Sequence, residues 1–100
     1  FRETFRSLPS VASVLFAPDT ASIPEEPSAR IGIATAVASQ TTVANIDRVL
    51  VYADRMQAGG DGDCATMMIS DAIRRDESIV SVPAFIAAQS GWIGAAMDGR

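Results

Sequence analysis

The chain has no histidine and no lysine, and it has a single cysteine, Cys64. Without histidine there is no Ser-His-Asp triad, no histidine general base and no histidine-ligated metal. Without lysine a Walker A loop is impossible, and neither glycine-rich nucleotide motif occurs. These absences argue against an enzyme that works alone. A lone cysteine cannot form an internal disulfide, which favours a reducing, cytoplasmic location.

Basic charge and long apolar runs are scarce as well. The formal net charge is −4, and all eight cations are arginine. An acidic chain is poorly suited to a phosphate backbone or an anionic membrane, and no apolar run approaches the ~18–20 residues of a membrane span. We therefore expect no nucleic acid, no membrane and no bound metal as partners. The hydrophobic fraction of 48% in 100 residues fits one small globular domain.

Prolines punctuate the N-terminal third of the chain. The apolar run Val11–Phe16 contains β-branched and aromatic residues and predicts a short β-strand. After it, Pro18, Pro24 and Pro27 rule out a continuous helix. The sequence therefore predicts a strand followed by a proline-rich connector, with a domain boundary between residues 1–27 and 28–98.

Beyond the connector, apolar residues recur at the spacing of amphipathic helices. Helices are predicted at residues 28–39, at about 42–57 with Thr41 or Thr42 as the cap, at 64–75 after an Asp63 cap, and from Pro83 towards Gly99. The predicted fold class is mainly α: a small four-helix bundle that follows a short β-strand and a proline-rich connector. Helices this short must bury their apolar stripes against one another.

Two features of the 61–64 segment resemble functional sites but have simpler interpretations. Asp61-Gly62-Asp63 begins like a calcium loop, yet the later oxygen ligands and the distal glutamate are missing, which favours a turn with a helix cap. Cys64 lies at a helix start, where a thiol pKa is lowered, but it has neither a base nor a second cysteine. We therefore expect a half-buried structural cysteine and no catalytic residue in this chain.

Arg30 is the candidate functional residue, one turn into the first predicted bundle helix. From spacing alone it is a solvated arginine that pairs with Glu25 or Glu26. The alternative is that it binds an anion held outside this chain, because a guanidinium offers phosphate a fixed fork of donors and is always charged.

The order of strand, connector and helical bundle resembles the C-terminal end of an AAA+ ATPase module, most of all the MoxR-like type of bacteria and phages. Ser28-Ala29-Arg30 is similar to the sensor 2 segment that opens the first lid helix in that family. TVANIDRVLVYADRM (residues 42–56) and SDAIRRDESIVSVPAF (residues 70–85) are similar to later lid helices. The resemblance covers residues 10–98, and the segment 59–63 departs from the family pattern.

This resemblance implies a nucleotide-sensing role for Arg30. The residue would approach the γ-phosphate of ATP, which, with Mg²⁺, would be held by an ATPase core outside this chain. Arg2 or Arg6 falls where the family places an arginine finger, and we carry Arg6 forward as that candidate. The implied partners are neighbouring ATPase subunits in a homo-oligomer and a protein client. The first residue, Phe1, is not methionine, so we expect a fragment of a longer ATPase that is not catalytic by itself.

A second hypothesis belongs to a different class of protein. The chain would be a non-enzymatic helical interaction or structural module of a bacterial or phage assembly. Its contact surface would include Met67, Trp92 and Met97, since methionine and tryptophan are enriched at interfaces. Apolar stripes at helical spacing are, however, usually core.

Overall fold

The fold consists of short helices, and the computed structural model describes residues 10–98 of the chain. The elements are α1 (Val11–Phe16), α2 (Pro27–Ser39), α3 (Ile46–Ala58), α4 (Gly62–Arg75), a 3₁₀ segment (Glu77–Ser81), α5 (Pro83–Ala88) and α6 (Trp92–Asp98). The mainly α prediction is confirmed. No β-strand occurs in the described residues, and six α-helices take the place of a four-helix bundle.

The prediction of a β-strand at Val11–Phe16 is wrong, because this segment forms α1. Ser10 caps the helix: its hydroxyl oxygen accepts from the Ser13 backbone N–H at 3.1 Å. An apolar run of six residues is equally compatible with a strand and a buried helix. A strand would leave its backbone groups unpaired, since residues 10–98 contain no second strand, whereas a helix satisfies them internally.

Helices α2, α3 and α4 form the centre of the molecule, with α4 packed against both of the others. Apolar residues at helical spacing within residues 42–57 are buried in α3 at Ile46, Val49, Leu50, Ala53 and Met56, whereas Val43, which continues that spacing, precedes the helix and is 47% exposed. Ile31, which has helical spacing to the buried Ala34 and Ala38 of α2, is likewise exposed. The side chains buried in these three helices are Ile33, Ala34, Val37, Ala38, Ile46, Val49, Leu50, Tyr52, Ala53, Met56, Cys64, Ala65, Met68, Ile69 and Ala72.

Two helix starts differ from those expected, because side chains near each start bond to the backbone. Residues 42–45 form a turn closed by the Asn45 side chain, which accepts from the Thr42 N–H at 2.7 Å, so α3 begins at Ile46. Helix α4 is capped by Asp61 and not by Asp63. Short polar side chains compete with helical bonds in this way at chain turns.

The last predicted helix is two helices, α5 and α6, separated by a turn at residues 89–91. Gly94 packs directly on this turn. A Cβ atom at position 94 would overlap the Gln89 carbonyl oxygen. The break therefore depends on a close backbone approach that glycine permits, which helical spacing alone does not indicate.

Side chains of the bundle helices bind carbonyl groups of the connector, residues 17–26. Arg55 Nη1 donates to the Pro18 and Ala21 carbonyls, the second at 2.7 Å. The Tyr52 hydroxyl donates to the Ser22 carbonyl at 2.8 Å. Arg30 continues this series at the end of the connector. The side chains of Arg30, Tyr52 and Arg55 thus satisfy connector carbonyl groups that have no backbone partner.

Replacing Tyr52 with phenylalanine tests this attachment. Burial raises the pKa of Tyr52 to about 12, with a smaller opposing effect of the Arg55 charge. Because the folded pKa lies above the unfolded value, the stabilisation is complete below pH 10 and is lost as the pH rises towards 12. We expect Tyr52→Phe to lower the free energy of unfolding by about 1 kcal/mol at neutral pH. The stability of this variant should not fall further between pH 10 and pH 12. Urea unfolding measures both.

Tyr52 is the only tyrosine, so the ultraviolet absorbance of its phenolate reports the pKa directly. Titration of the folded chain with a midpoint near the ordinary value of 10 would contradict a buried, hydrogen-bonded hydroxyl.

A matched pair of glycine substitutions tests the break between α5 and α6. Gly94→Ala should destabilise the chain by about 1–3 kcal/mol, because the added methyl group overlaps the Gln89 backbone. Gly32→Ala is the control: it lies inside α2 with open space around the new methyl, and should stabilise by about 0.5–1 kcal/mol. Thermal unfolding followed by circular dichroism distinguishes the two. Equal effects would refute the close contact at Gly94.

Candidate functional site

Arg30 lies in the first turn of α2, and its side chain joins three parts of the fold. Its Nε donates to Asp61 Oδ2 at 2.6 Å, across 31 residues of sequence. Its Nη1 donates to the carbonyl oxygens of Pro24 at 3.2 Å and Glu25 at 2.5 Å. The guanidinium therefore holds the end of the connector and the start of α4 against α2.

The partners of Arg30 differ in part from those that its spacing predicts. An acidic partner is present, but it is Asp61 and neither of the neighbouring glutamates. Glu25 contributes its backbone carbonyl. The arginine is also less solvated than expected, since its side chain is 20% exposed and that of Asp61 is 26% exposed.

Asp61 performs two tasks with its two carboxylate oxygens. One oxygen pairs with Arg30, and the other accepts from the Cys64 N–H at 3.0 Å, which caps α4. The hydrogen bond from Arg30 is the main reason why the pKa of Asp61 is lowered, and the Cys64 N–H contributes further. The turn before it requires Gly60, whose φ of 106° suits glycine. Residues 59–63, the departure from the family pattern, thus include the partner of Arg30.

The Arg30–Asp61 pair faces an open cleft of about 400 Å³ between the connector and the α3–α4 turn. Ile23, Met56 and Gly60 complete much of its wall. Within residues 10–98, only Nε and Nη1 of Arg30 have acceptors, so Nη2 has no partner in the described part of the chain. The site can offer an anion guanidinium donors, but the Asp61 carboxylate beside them competes for the same group.

Cys64 is buried, at 5% exposure, and so lies deeper than the half-buried position predicted for it. The helix start does not activate the thiol. Burial raises the pKa of Cys64, the negative charge of Asp61 raises it further, and Arg30 offsets part of the increase. A thiol in this environment stays protonated at neutral pH and is a weak nucleophile.

The other candidate features give no second site. Arg2 and Arg6, including the candidate arginine finger, lie outside the described residues. Asp61-Gly62-Asp63 forms a turn and the start of α4. Among residues 10–98, no three cysteine, aspartate or glutamate side chains are grouped so that they could hold a metal ion. In the same part of the chain, every helix is too short or too polar to cross a bilayer.

Sequence reasoning singled out Arg30 but did not identify Asp61 as its partner. No local spacing connects the two residues, because the contact depends on how α2 and α4 pack. The one signal in the sequence is the glycine pair at 59–60, which marks a tight turn directly before Asp61.

Comparison with models of known protein families, with curated proteins and with solved structures finds no match for this chain.

The charge of Asp61 can be separated from its capping role by Asp61→Asn, since asparagine is also a good N-cap. The pKa of Asp61 is lower in the folded chain than its unfolded value of about 3.9. The Asp61 carboxylate therefore stabilises the fold at pH values above about 3.9, and this stabilisation is lost as the pH falls through the folded pKa. We expect Asp61→Asn to cost about 1 kcal/mol at pH 7 and nothing in strong acid. Urea unfolding at both pH values measures this difference.

The exposed Asp19, which has no hydrogen-bond or ion-pair partner in residues 10–98, supplies the control. Asp19→Asn should change stability by a few tenths of a kcal/mol at most. A cost for Asp61→Asn that is the same at both pH values would show that the charge does not matter.

Proposed function

We propose that this chain is the helical lid of an AAA+ ATPase of the MoxR-like type, and that Arg30 senses the bound nucleotide. The ATP- and Mg²⁺-binding core would be contributed by polypeptide outside these 100 residues, and the chain would not be catalytic alone. The observation that carries the proposal is the position of Arg30. It lies in the first turn of the helix after the connector, at the edge of an open cleft, with its guanidinium partly exposed.

The family-like segments provide further support. Residues 42–56 include most of α3, and residues 70–85 run from the end of α4 through the 3₁₀ segment into α5. The Pro83 that opens the family-like "PAF" sequence begins α5. The correction of Val11–Phe16 to a helix removes one part of the resemblance, the core strand, and leaves the bundle part in place.

The proposed mechanism is an exchange of partners at Arg30. Without nucleotide, Asp61 holds the guanidinium. A γ-phosphate carries more negative charge than one carboxylate and accepts bidentate donation, so it can draw Arg30 away from Asp61. Because Arg30 also binds the Pro24 and Glu25 carbonyls, the exchange would change how the connector and α4 are held. Neighbouring subunits in the homo-oligomer, a protein client and a cytoplasmic location belong to the same proposal.

The test compares ATP turnover of the full-length ATPase with that of single variants. Arg30→Ala should lower turnover about tenfold or more, since one charge-assisted contact to the transferred phosphate is removed. Arg48→Ala is the matched control, an exposed arginine on α3, and should leave turnover unchanged. Wild-type turnover in Arg30→Ala would refute the sensor role.

Loss of stability must be distinguished from loss of sensing, because Arg30 also holds the fold together. Arg30→Lys keeps the charge but lacks the fork of donors. Asp61→Asn weakens the competing partner without touching Arg30. If the exchange operates, Asp61→Asn should tighten ATP binding although it lowers stability. Weaker ATP binding in this variant would contradict the mechanism.

The non-enzymatic alternative is favoured by one observation. Met67, Trp92 and Met97 all pack partly against the core. Trp92 also lines an open groove between α3, α5 and the start of α6.

A further inference from the structure

The groove runs between α3 on one side and α5 with the start of α6 on the other. Its volume is about 380 Å³. The lining is mainly apolar and includes Leu50, Val51, Ala84, Ala87, Ala88 and Trp92. Val51 is 44% exposed and contributes apolar surface to the groove.

The charges at the groove all have one sign. Asp47 and Asp54 lie on the α3 side, and the part of the chain that the structure describes brings no arginine to the lining. The opposite wall cannot neutralise them, because the sequence has no charged residue between Glu77 and Asp98. The Trp92 indole N–H donates to Asp54 at 2.8 Å, which holds the ring along the groove.

The wall formed by α5 is made of small side chains. Ala84, Ala87 and Ala88 have the spacing of one helix face and leave room for close approach. The distance between packed helices is set by the side chains at their contact, and alanines allow the short end of the range. The binding of an amphipathic helix in a hydrophobic groove is one of the recurring modes of peptide recognition.

We propose that this groove binds an amphipathic helix of a partner protein that carries arginine or lysine beside its apolar stripe. The apolar stripe packs on Leu50, Ala87 and Trp92, and the flanking cations pair with Asp47 and Asp54. Charge complementarity selects this occupant over an acidic or purely apolar segment. The proposal does not depend on nucleotide sensing, because the groove and the Arg30 cleft share no residue.

Fluorescence of Trp92, the only tryptophan, provides a direct measurement in the full chain. The probe is a synthetic amphipathic helical peptide of leucine and lysine. We expect saturable binding with a blue shift of the emission, because the peptide removes water from the indole. The same peptide with glutamate in place of lysine, and a scrambled leucine–lysine peptide, should bind at least tenfold more weakly.

Two variants locate the binding site. Ala87→Lys fills the groove and adds a positive charge that repels the lysines of the peptide. It should therefore weaken binding at least tenfold. Ala95→Lys, at an exposed position of α6 outside the lining, is the matched control and should bind like the wild type. Asp47→Asn should weaken binding about twofold to fivefold, as expected for a partly exposed ion pair. Circular dichroism confirms that each variant is folded.

Three outcomes would overturn the proposal. Equal binding of the scrambled or glutamate peptide would show that the groove does not recognise a cationic helix. Equal weakening by Ala87→Lys and Ala95→Lys would place the peptide elsewhere. A red shift of Trp92 emission caused by Arg2→Glu with Arg6→Glu, before any peptide is added, would show that this chain's own first residues occupy the groove.

Discussion

The placement of the connector depends on carbonyl groups that have no backbone partner. Residues 17–26 contain prolines, which cannot donate, and a helix does not begin until Pro27. Hydroxyl and guanidinium groups from α2 and α3 bind these carbonyls instead. Arg30 joins more parts of the fold than Tyr52 or Arg55, because it also binds Asp61, the residue that caps α4. Through it, the same few bonds that fix the fold also form the candidate site.

The helices with a long apolar stripe could be predicted from the sequence, whereas the contacts that build the site could not. The stripes of α3 and α4 repeat over three turns or more, and most of their predicted core residues are buried. Val11–Phe16 is too short for its period to distinguish strand from helix. The break at residues 89–91 and the Arg30–Asp61 pair depend on tertiary approach, which no spacing along the chain encodes.

Arg30 is already paired with Asp61, which the sequence resemblance to a sensor 2 segment does not indicate. A solvated arginine would be free to bind phosphate, whereas under the proposed mechanism Arg30 would first have to release the Asp61 carboxylate. In the proposed exchange, this competition would restrict the response to a strong anion held beside Arg30, and it would link anion binding to the α4 cap. The groove beside Trp92 shares no lining residue with the Arg30 cleft, so the proposed nucleotide sensing and the proposed helix binding can be tested separately.

A double-mutant cycle between Arg30 and Asp61 is the most direct measurement of whether this guanidinium links the connector, α2 and α4. Urea unfolding of the wild-type chain, Arg30→Met, Asp61→Asn and the combined variant yields the coupling free energy. We expect about 1 kcal/mol or more at neutral pH, because the pair is partly shielded and hydrogen-bonded at 2.6 Å. Effects that simply add would contradict the link and remove the physical basis of the proposed exchange.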